Sequence, residues 1–470
     1  MIRSRVVQNT VWLTIGEIIG RLLRIILIFY SARVLGAAEW GISSYLLSWA
    51  TLFTITTDLG LSAIVTRELV HAPERRRDHL STFFFVKLGL LAISALVITL
   101  VVPRIGTFPL STTLMISLAT LVFFDSMRII ASTVNKARET MHYEAYSNIF
   151  TQAAILIIGF ALLRAHPSTE GLNVAYAIGS ALGTFYAFFL IRDYLPGLLT
   201  SFKRPLVREL VKDALPIAIV GLVGSIMLNT DIVMLGWMRT PTEIGYYSAT
   251  QKIIFTLYVL PTLIASATFP AMARLMRDKG GFKIFFENVL KHALMIALPV
   301  TVGGVITAPR VIELFYGSAY LPATASFVIL LLTIPNAFTT AIINNALIAH
   351  NSQKYFLTYA AIGLTCNAML NFALIPLWGI NGSAIATLIT ETITGIFVWR
   401  KLNALTGFAV PHGLTKTFIA CGILGITTYG ATLFQLPVLL VIGIAILCYV
   451  GTLTAVREPA IIRLTDRLSR

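Results

Sequence analysis

Ten ionisable side chains stand inside stretches otherwise apolar enough to cross a bilayer: Glu17, Arg21, Arg24, Asp58, Lys87, Asp125, Arg128, Asp231, Lys252 and Glu391. A charge at the centre of a membrane helix costs about 2.5–3.5 kcal/mol on insertion scales, so such groups usually face a cavity or a partner. Glu17, Arg21 and Arg24 are spaced i, i+4, i+7 and share one helical face. Glu17 can pair with Arg21, which leaves Arg24 one turn further on. A guanidinium presents a fork of donors that matches phosphate oxygens. This face therefore suits either anion binding on a central cavity or an ion-pair ladder that locks helices together.

The other charges divide by reach. Asp125 and Arg128, at i and i+3, can neutralise each other. Lys87 has no acid in its own span. It stands near the inner end, where it either snorkels to the cytoplasmic face or serves as a cavity ligand. Lys252, in the outer third of its span, is within reach of Asp231 on the preceding one. Asp58 lies at the inner end of its span, placed to cap the helix or to pair with Arg67. Glu391 is near mid-membrane and has no local partner. It is a candidate for proton coupling or for a structural hydrogen bond. The ten charges sum to zero, so a net cationic cavity requires the acids to be sequestered at its edges.

These residues must be positioned by helices. The 470 residues are 57% hydrophobic and only 12% charged, with a mean hydropathy of +0.82. A soluble domain carries about 25% charged residues, and so little charge cannot cover a water-facing surface of this size. The chain reads as an all-α integral membrane protein of about fourteen spans, each of about 20 mostly apolar residues. They fall at 9–32, 41–63, 81–103, 111–135, 146–164, 171–191, 213–238, 245–272, 288–309, 324–349, 355–376, 379–400, 414–433 and 436–455. Arg3 and Arg5 before the first span resemble a signal peptide, but Glu17, Arg21 and Arg24 interrupt it, so it reads as retained.

The formal charge of +15 points to membrane orientation and anionic headgroups rather than to nucleic acid. With the N-terminus inside, 26 of the 36 Lys and Arg residues fall in cytoplasmic segments and five in outer loops. Both termini are thus expected in the cytoplasm. Pro216, Pro261, Pro270, Pro299 and Pro335 are expected to kink their helices, whether as gating points or as packing features. The longest polar connector, 192–212, divides the chain into an N-terminal part (1–195), a linker (196–212), a C-terminal part (213–401) and a final pair of spans with a tail (402–470). Phe202–Asp213 could form a short interfacial helix with Leu206, Leu210 and Val211 against lipid. Leu35-Gly36 to Glu39-Trp40-Gly41 and Leu235-Gly236 to Glu243-Ile244-Gly245 repeat one pattern, each in the outer loop between the first two spans of its half. Such two-fold repeats are common in transporters.

Several chemistries are excluded. No phosphate-cradling Gly-rich loop followed by Lys-Ser/Thr is present, no His-Glu-x-x-His and no Gly-x-Ser-x-Gly. No soluble stretch is long enough for a catalytic domain, so neither an enzyme nor a cofactor is expected. Cys366, Cys421 and Cys448 lie in apolar runs and read as small buried hydrophobes, with no metal site.

A set of loose motifs in fixed order carries a resemblance. They are Leu35-Gly36 to Gly41; Thr57-Asp58-Leu59-Gly60-Leu61 with Thr66-Arg67-Glu68; Asp231; Gly245-Tyr246-Tyr247-Ser248-Ala249; Leu260-Pro261 to Phe269-Pro270; Phe315-Tyr316-Gly317-Ser318-Ala319-Tyr320; Asn367 to Asn371; Ile375-Pro376-Leu377-Trp378-Gly379-Ile380-Asn381-Gly382-Ser383-Ala384; and Thr390-Glu391. Over nearly its full length the chain resembles the polysaccharide flippases of the multidrug/oligosaccharidyl-lipid/polysaccharide exporter superfamily. That resemblance implies two pseudo-symmetric six-helix lobes around a central cavity plus two C-terminal helices. It implies flipping of undecaprenyl-pyrophosphate-linked oligosaccharide across the inner membrane by alternating access, driven by an H⁺ or Na⁺ gradient or by membrane potential. Polysaccharide polymerase or ligase partners are compatible with it. In relatives, basic residues on the first helix engage the pyrophosphate, and Arg21 and Arg24 match by span and spacing. The competing readings are a peptidoglycan lipid precursor flippase, a multidrug cation antiporter of the same superfamily, and, further off, a membrane-embedded glycosyltransferase or ligase. Asp58-Leu59-Gly60-Leu61 and Gly379-Ile380-Asn381-Gly382 look more like the O-antigen and capsule type.

Overall fold

The computed structural model describes residues 2–409 and 413–459. They are helical almost throughout, with no strand among them. In order the helices are α1 (Ile2–Thr56), α2 (Leu61–His71), α3 (Arg76–Leu100), α4 (Val102–Ile105), α5 (Thr112–Ala137), α6 (Met141–Ala165), α7 (Thr169–Leu190), α8 (Arg204–Met238), α9 (Pro241–Leu257), α10 (Val259–Leu275), α11 (Lys279–Tyr316), α12 (Thr324–Leu331), α13 (Ile334–Ala349), α14 (Lys354–Thr406), α15 (Leu414–Leu433) and α16 (Val438–Ala455). Arg463, Arg467 and Arg470, counted above as cytoplasmic, lie outside the described residues.

Each of the fourteen sequence windows falls on helix. Among the described residues ten segments are long and apolar enough to cross a membrane, and one of them, Lys354–Thr406, holds two windows. The two halves of α1, which carries Glu17, Arg21 and Arg24, and α15, diluted by threonine and glycine, are not among the ten. Large apolar side chains stand exposed along these helices, among them Ile157, Phe185, Met369, Ile426 and Leu447. Water would not tolerate that surface, whereas lipid matches it. Backbone groups within the bilayer must be satisfied internally, and helix alone does so here.

The breaks follow from sequence. α1 and α14 each join two spans through one glycine, Gly36 (φ 74°, ψ 174°) and Gly379 (φ 55°, ψ −131°). Both conformations are open to glycine and strained for any residue with a Cβ. Prolines accompany two further interruptions. Pro261 lacks an N–H and crowds the carbonyl four residues back, and the regular helix is interrupted at Tyr258, between α9 and α10, although Tyr258 keeps right-handed helical dihedrals (φ −65°, ψ −11°). Pro335 does the same at Leu332–Thr333, between α12 and α13. Pro216, Pro270 and Pro299 stay inside continuous helix.

The chain forms two compact units, residues 1–245 and 246–470. In the first, α1 packs along α6 and α8, and α7 lies against α5 and α6. Its helix contacts are tied by buried hydrogen bonds such as Thr57 to Ser126 (2.7 Å) and Asn173 to Ser43 (2.9 Å). In the second, α15 and α16 pack on α11 through Met295, Cys421, Leu424 and Tyr449. The Tyr449 hydroxyl donates to the Met295 carbonyl at 2.7 Å, and Lys291 pairs with the buried Glu458 at 2.6 Å. The cysteines are free thiols; Cys421 is buried and Cys366 and Cys448 are half-buried.

One expectation is corrected. The stretch 202–213 is no separate interfacial helix, because from Arg204 it is the start of α8 and runs on to Met238 without a break. Leu206 and Leu210 are buried in protein rather than lying on lipid, while Val211 is exposed.

Candidate functional site

The Glu17–Arg21–Arg24 face lies along the first half of α1. Glu17 and Arg21 pair at 2.6 Å, both about half exposed. Arg24 has no acid. Its Nε donates to Oε1 of Gln152 on α6, at 3.3 Å, and the buried Tyr176 hydroxyl of α7 is within its electrostatic reach. α6 fixes the α1 face at two further points. Asn148 donates to the Gly16 carbonyl at 3.1 Å, and the Trp12 and Tyr146 rings meet edge-on at 5.4 Å. Asn148 and Gln152 were not singled out from sequence, although two amide side chains at i, i+4 in an apolar helix are a signal.

The consequence is electrostatic. Arg21 is neutralised by Glu17, and Arg24 is oriented by a neutral amide that leaves its charge uncompensated. Both arginines are exposed. Exposed charge on a membrane-spanning helix is tolerated against water or a polar cargo and costly against acyl chains. Arg24 is therefore the cation of this face with donors to spare, suited to phosphate oxygens.

Lys87 and Asp58 form a second cluster and correct two expectations. Lys87 does not snorkel. It is fully buried, its Nζ 2.9 Å from Oδ1 of Asp58 and 5.1 Å from the Phe83 ring. Asp58 does not pair with Arg67. Its carboxylate accepts from Lys87 and, at 2.7 Å, from Ser62, while Arg67 binds Glu68 and Asp213. The turn Thr57–Gly60 between α1 and α2, with Leu59 and Gly60 at positive φ, points Asp58 inward. An enclosed pair of this kind ties helices and leaves little of Lys87 for cargo.

Asp125 and Arg128 pair at 3.5 Å, and Ser180 of α7 donates to the same carboxylate oxygen at 2.5 Å. Asp231 is buried within α8 and Lys252 half-buried on α9; they belong to different compact units.

In the second unit Glu391 has partners that sequence alone did not supply. The Tyr258 hydroxyl lies 2.9 Å from Oε1 of Glu391, to which it donates, and 2.5 Å from the Thr333 hydroxyl. Asn336 donates to the Glu391 carbonyl at 2.7 Å. Tyr258 and Thr333 are the residues at the two proline-induced breaks, so a membrane carboxyl on α14 meets both discontinuities at one polar node. Among the described residues no group of three or more His, Cys, Asp or Glu could hold a metal ion.

A family profile described as "Polysaccharide biosynthesis protein" matches residues 6–276, more than half of the chain and all of the α1 face. The chain belongs to the polysaccharide biosynthesis protein family. Within and beyond that family it is similar to the "Probable low-salt glycan biosynthesis flippase Agl15" of Haloferax volcanii, 20% identical over 414 residues covering 86% of this chain and 85% of that protein. Among solved structures, "Lipid II flippase MurJ, inward closed conformation" superposes with a TM-score of 0.76 at 16% identity, covering 96% of this chain and all of that one. An inward-facing multidrug resistance MATE family transporter of the MOP superfamily gives 0.63 at 13% identity, over 84% of this chain and 98% of that one. The family match, the helical fold and these likenesses bear out the resemblance drawn from the motifs. The protein is a multi-pass membrane protein with the fold of that superfamily.

Proposed function

We propose that this protein is a flippase carrying a polyprenyl-pyrophosphate-linked oligosaccharide, of the kind used for O-antigen, capsule or exopolysaccharide, from the cytoplasmic to the outer leaflet of the inner membrane. The observation that carries this reading is Arg24, an exposed arginine on a membrane helix whose held partner is the neutral Gln152, in a chain of the polysaccharide biosynthesis family. A pyrophosphate and a glycan cross hydrocarbon too slowly unaided because burying their charge and hydroxyls is costly. A protein supplies cationic donors for the head while the polyprenyl tail stays in lipid. Alternating access between inward-open and outward-open states is the movement proposed for this fold, with both termini proposed to lie in the cytoplasm on the bias of basic residues. Protonation of Glu391 at the node of helix breaks is the proposed coupling step.

A second reading, transport of the peptidoglycan lipid precursor, is favoured by the extent of the fold likeness to MurJ. The experiment that separates the readings offers liposomes holding the purified protein three cargoes: polyprenyl-pyrophosphate oligosaccharide, lipid II and an organic cation. Flipping of the first above the others supports the proposal. Preference for lipid II moves the protein to the second reading, and efflux of the cation alone would overturn both.

A further inference from the structure

The first turns of α8 carry a face that the cargo chemistry does not use. Arg204, Arg208 and Lys212 recur at i, i+4, i+8 and fall within an arc of about 80° on the helix. All three are exposed, and with Phe202, Val207 and Leu215 they line one open groove. The opposite arc holds Leu206, Leu210 and Ala214, which are buried, and Phe202 leans on Phe85 of α3 at 5.5 Å. The helix is thus fastened on one side and open on the other. The neighbouring acids do not neutralise the open side: Glu209 and Asp213 lie outside the arc, and Asp213 is held by Arg67 at 3.0 Å.

Along the same arc the chemistry changes with depth. Leu215 and Ile219 are exposed and lie roughly 10–17 Å beyond Arg208 along the axis, at 1.5 Å per residue. Three cations therefore stand above an exposed apolar stripe on one helix face, at the membrane end that the distribution of basic residues assigns to the cytoplasm. A phospholipid has that same arrangement, with its phosphate at the interface and its acyl chains alongside the helix.

We propose that this groove binds an anionic phospholipid of the cytoplasmic leaflet, its headgroup on Arg204, Arg208 and Lys212 and its chains along Leu215 and Ile219. The proposal rests on the membrane reading and is independent of the cargo's identity. Each basic side chain near an anionic lipid surface contributes to attraction, so three together are worth on the order of 100-fold in affinity.

The test is native mass spectrometry of the full chain in detergent, titrated separately with phosphatidylglycerol and phosphatidylcholine. The wild type retains phosphatidylglycerol in preference, and Arg204→Gln/Arg208→Gln/Lys212→Gln loses roughly 100-fold of that binding. Arg204→Lys/Arg208→Lys keeps it, which separates loss of charge from loss of fold. Equal retention of the two lipids by the wild type, or undiminished binding by the triple glutamine variant, overturns the proposal. Displacement of phosphatidylglycerol by an equal concentration of undecaprenyl phosphate overturns it as well and assigns the groove to the cargo's lipid.

Discussion

Arg21 and Arg24 stand one turn apart and differ in what holds them. Arg21 is closed by Glu17, whereas Arg24 is oriented by an amide and keeps its charge. Their shared face was legible from the spacing alone, since i, i+4, i+7 fixes it once the segment is helical. The inequality was not, because Gln152 is 128 residues away in sequence. The same limit explains Lys87, whose partner is 29 residues distant across a turn. That buried pair yields a prediction about stability. Lys87→Met strands Asp58 and is expected to cost about 3–5 kcal/mol, whereas Asp58→Asn/Lys87→Met recovers most of it. Unfolding midpoints in detergent check both, and a single variant as stable as wild type would show that the pair contributes nothing. His350, just beyond the end of α13, gives a pH prediction. Burial against Phe282 holds its imidazole below the usual value of 6.5. The unfolded chain then takes up the proton first, so stability present at pH 7 is lost as pH falls through about 6.5. His350→Gln is expected to flatten the fall in melting temperature between pH 7 and pH 5.5 relative to wild type; parallel curves would remove His350 from the balance.

At the scale of elements, hydropathy found the helices because a bilayer leaves the backbone few alternatives. It read the segments at 245–272 and 324–349 as single spans, and both are broken, at Tyr258 and at Leu332–Thr333. The prolines announced some break, but not that its residues would meet over Glu391. Under the proposed coupling, this node would hold or release both interruptions together as its carboxyl gains or loses a proton. Glu391→Gln is therefore expected to abolish or shift the pH dependence of transport, measured in liposomes across pH 5.5 to 8. A profile identical to wild type would leave the node a structural role. The start of α8 shows the opposite error. Its polar connector suggested a separate element at the interface, but Leu206 and Leu210 dock on protein and the helix simply continues.

For the whole molecule, the alternation of basic residues and the apolar windows together lead to the expectation of fourteen crossings with both ends in the cytoplasm. Helical fold and family agree with a membrane protein, while the number of crossings is carried by α1 and α15, whose polar content lowers their hydropathy. Cysteine labelling in intact cells, with Cys366, Cys421 and Cys448 replaced, tests this arrangement. Thr240→Cys is expected to react with a membrane-impermeant maleimide from outside, and Thr200→Cys and Gln353→Cys only after permeabilisation. Outside labelling of Thr200→Cys would reverse or remove a crossing and with it the assignment of the α8 groove to the inner leaflet.

The central claim is that Arg24 meets the pyrophosphate of a lipid-linked glycan. The direct measurement is flipping of fluorescent polyprenyl-pyrophosphate oligosaccharide in liposomes by wild type, Arg21→Ala and Arg24→Ala at equal protein content. Removing a charge-assisted contact costs about 1.5–3 kcal/mol, so Arg24→Ala is expected to flip roughly 10- to 100-fold more slowly, with Arg21→Ala less affected. Flipping at the wild-type rate by Arg24→Ala, and by Arg21→Ala/Arg24→Ala, would contradict the account and make the α1 face a structural ladder.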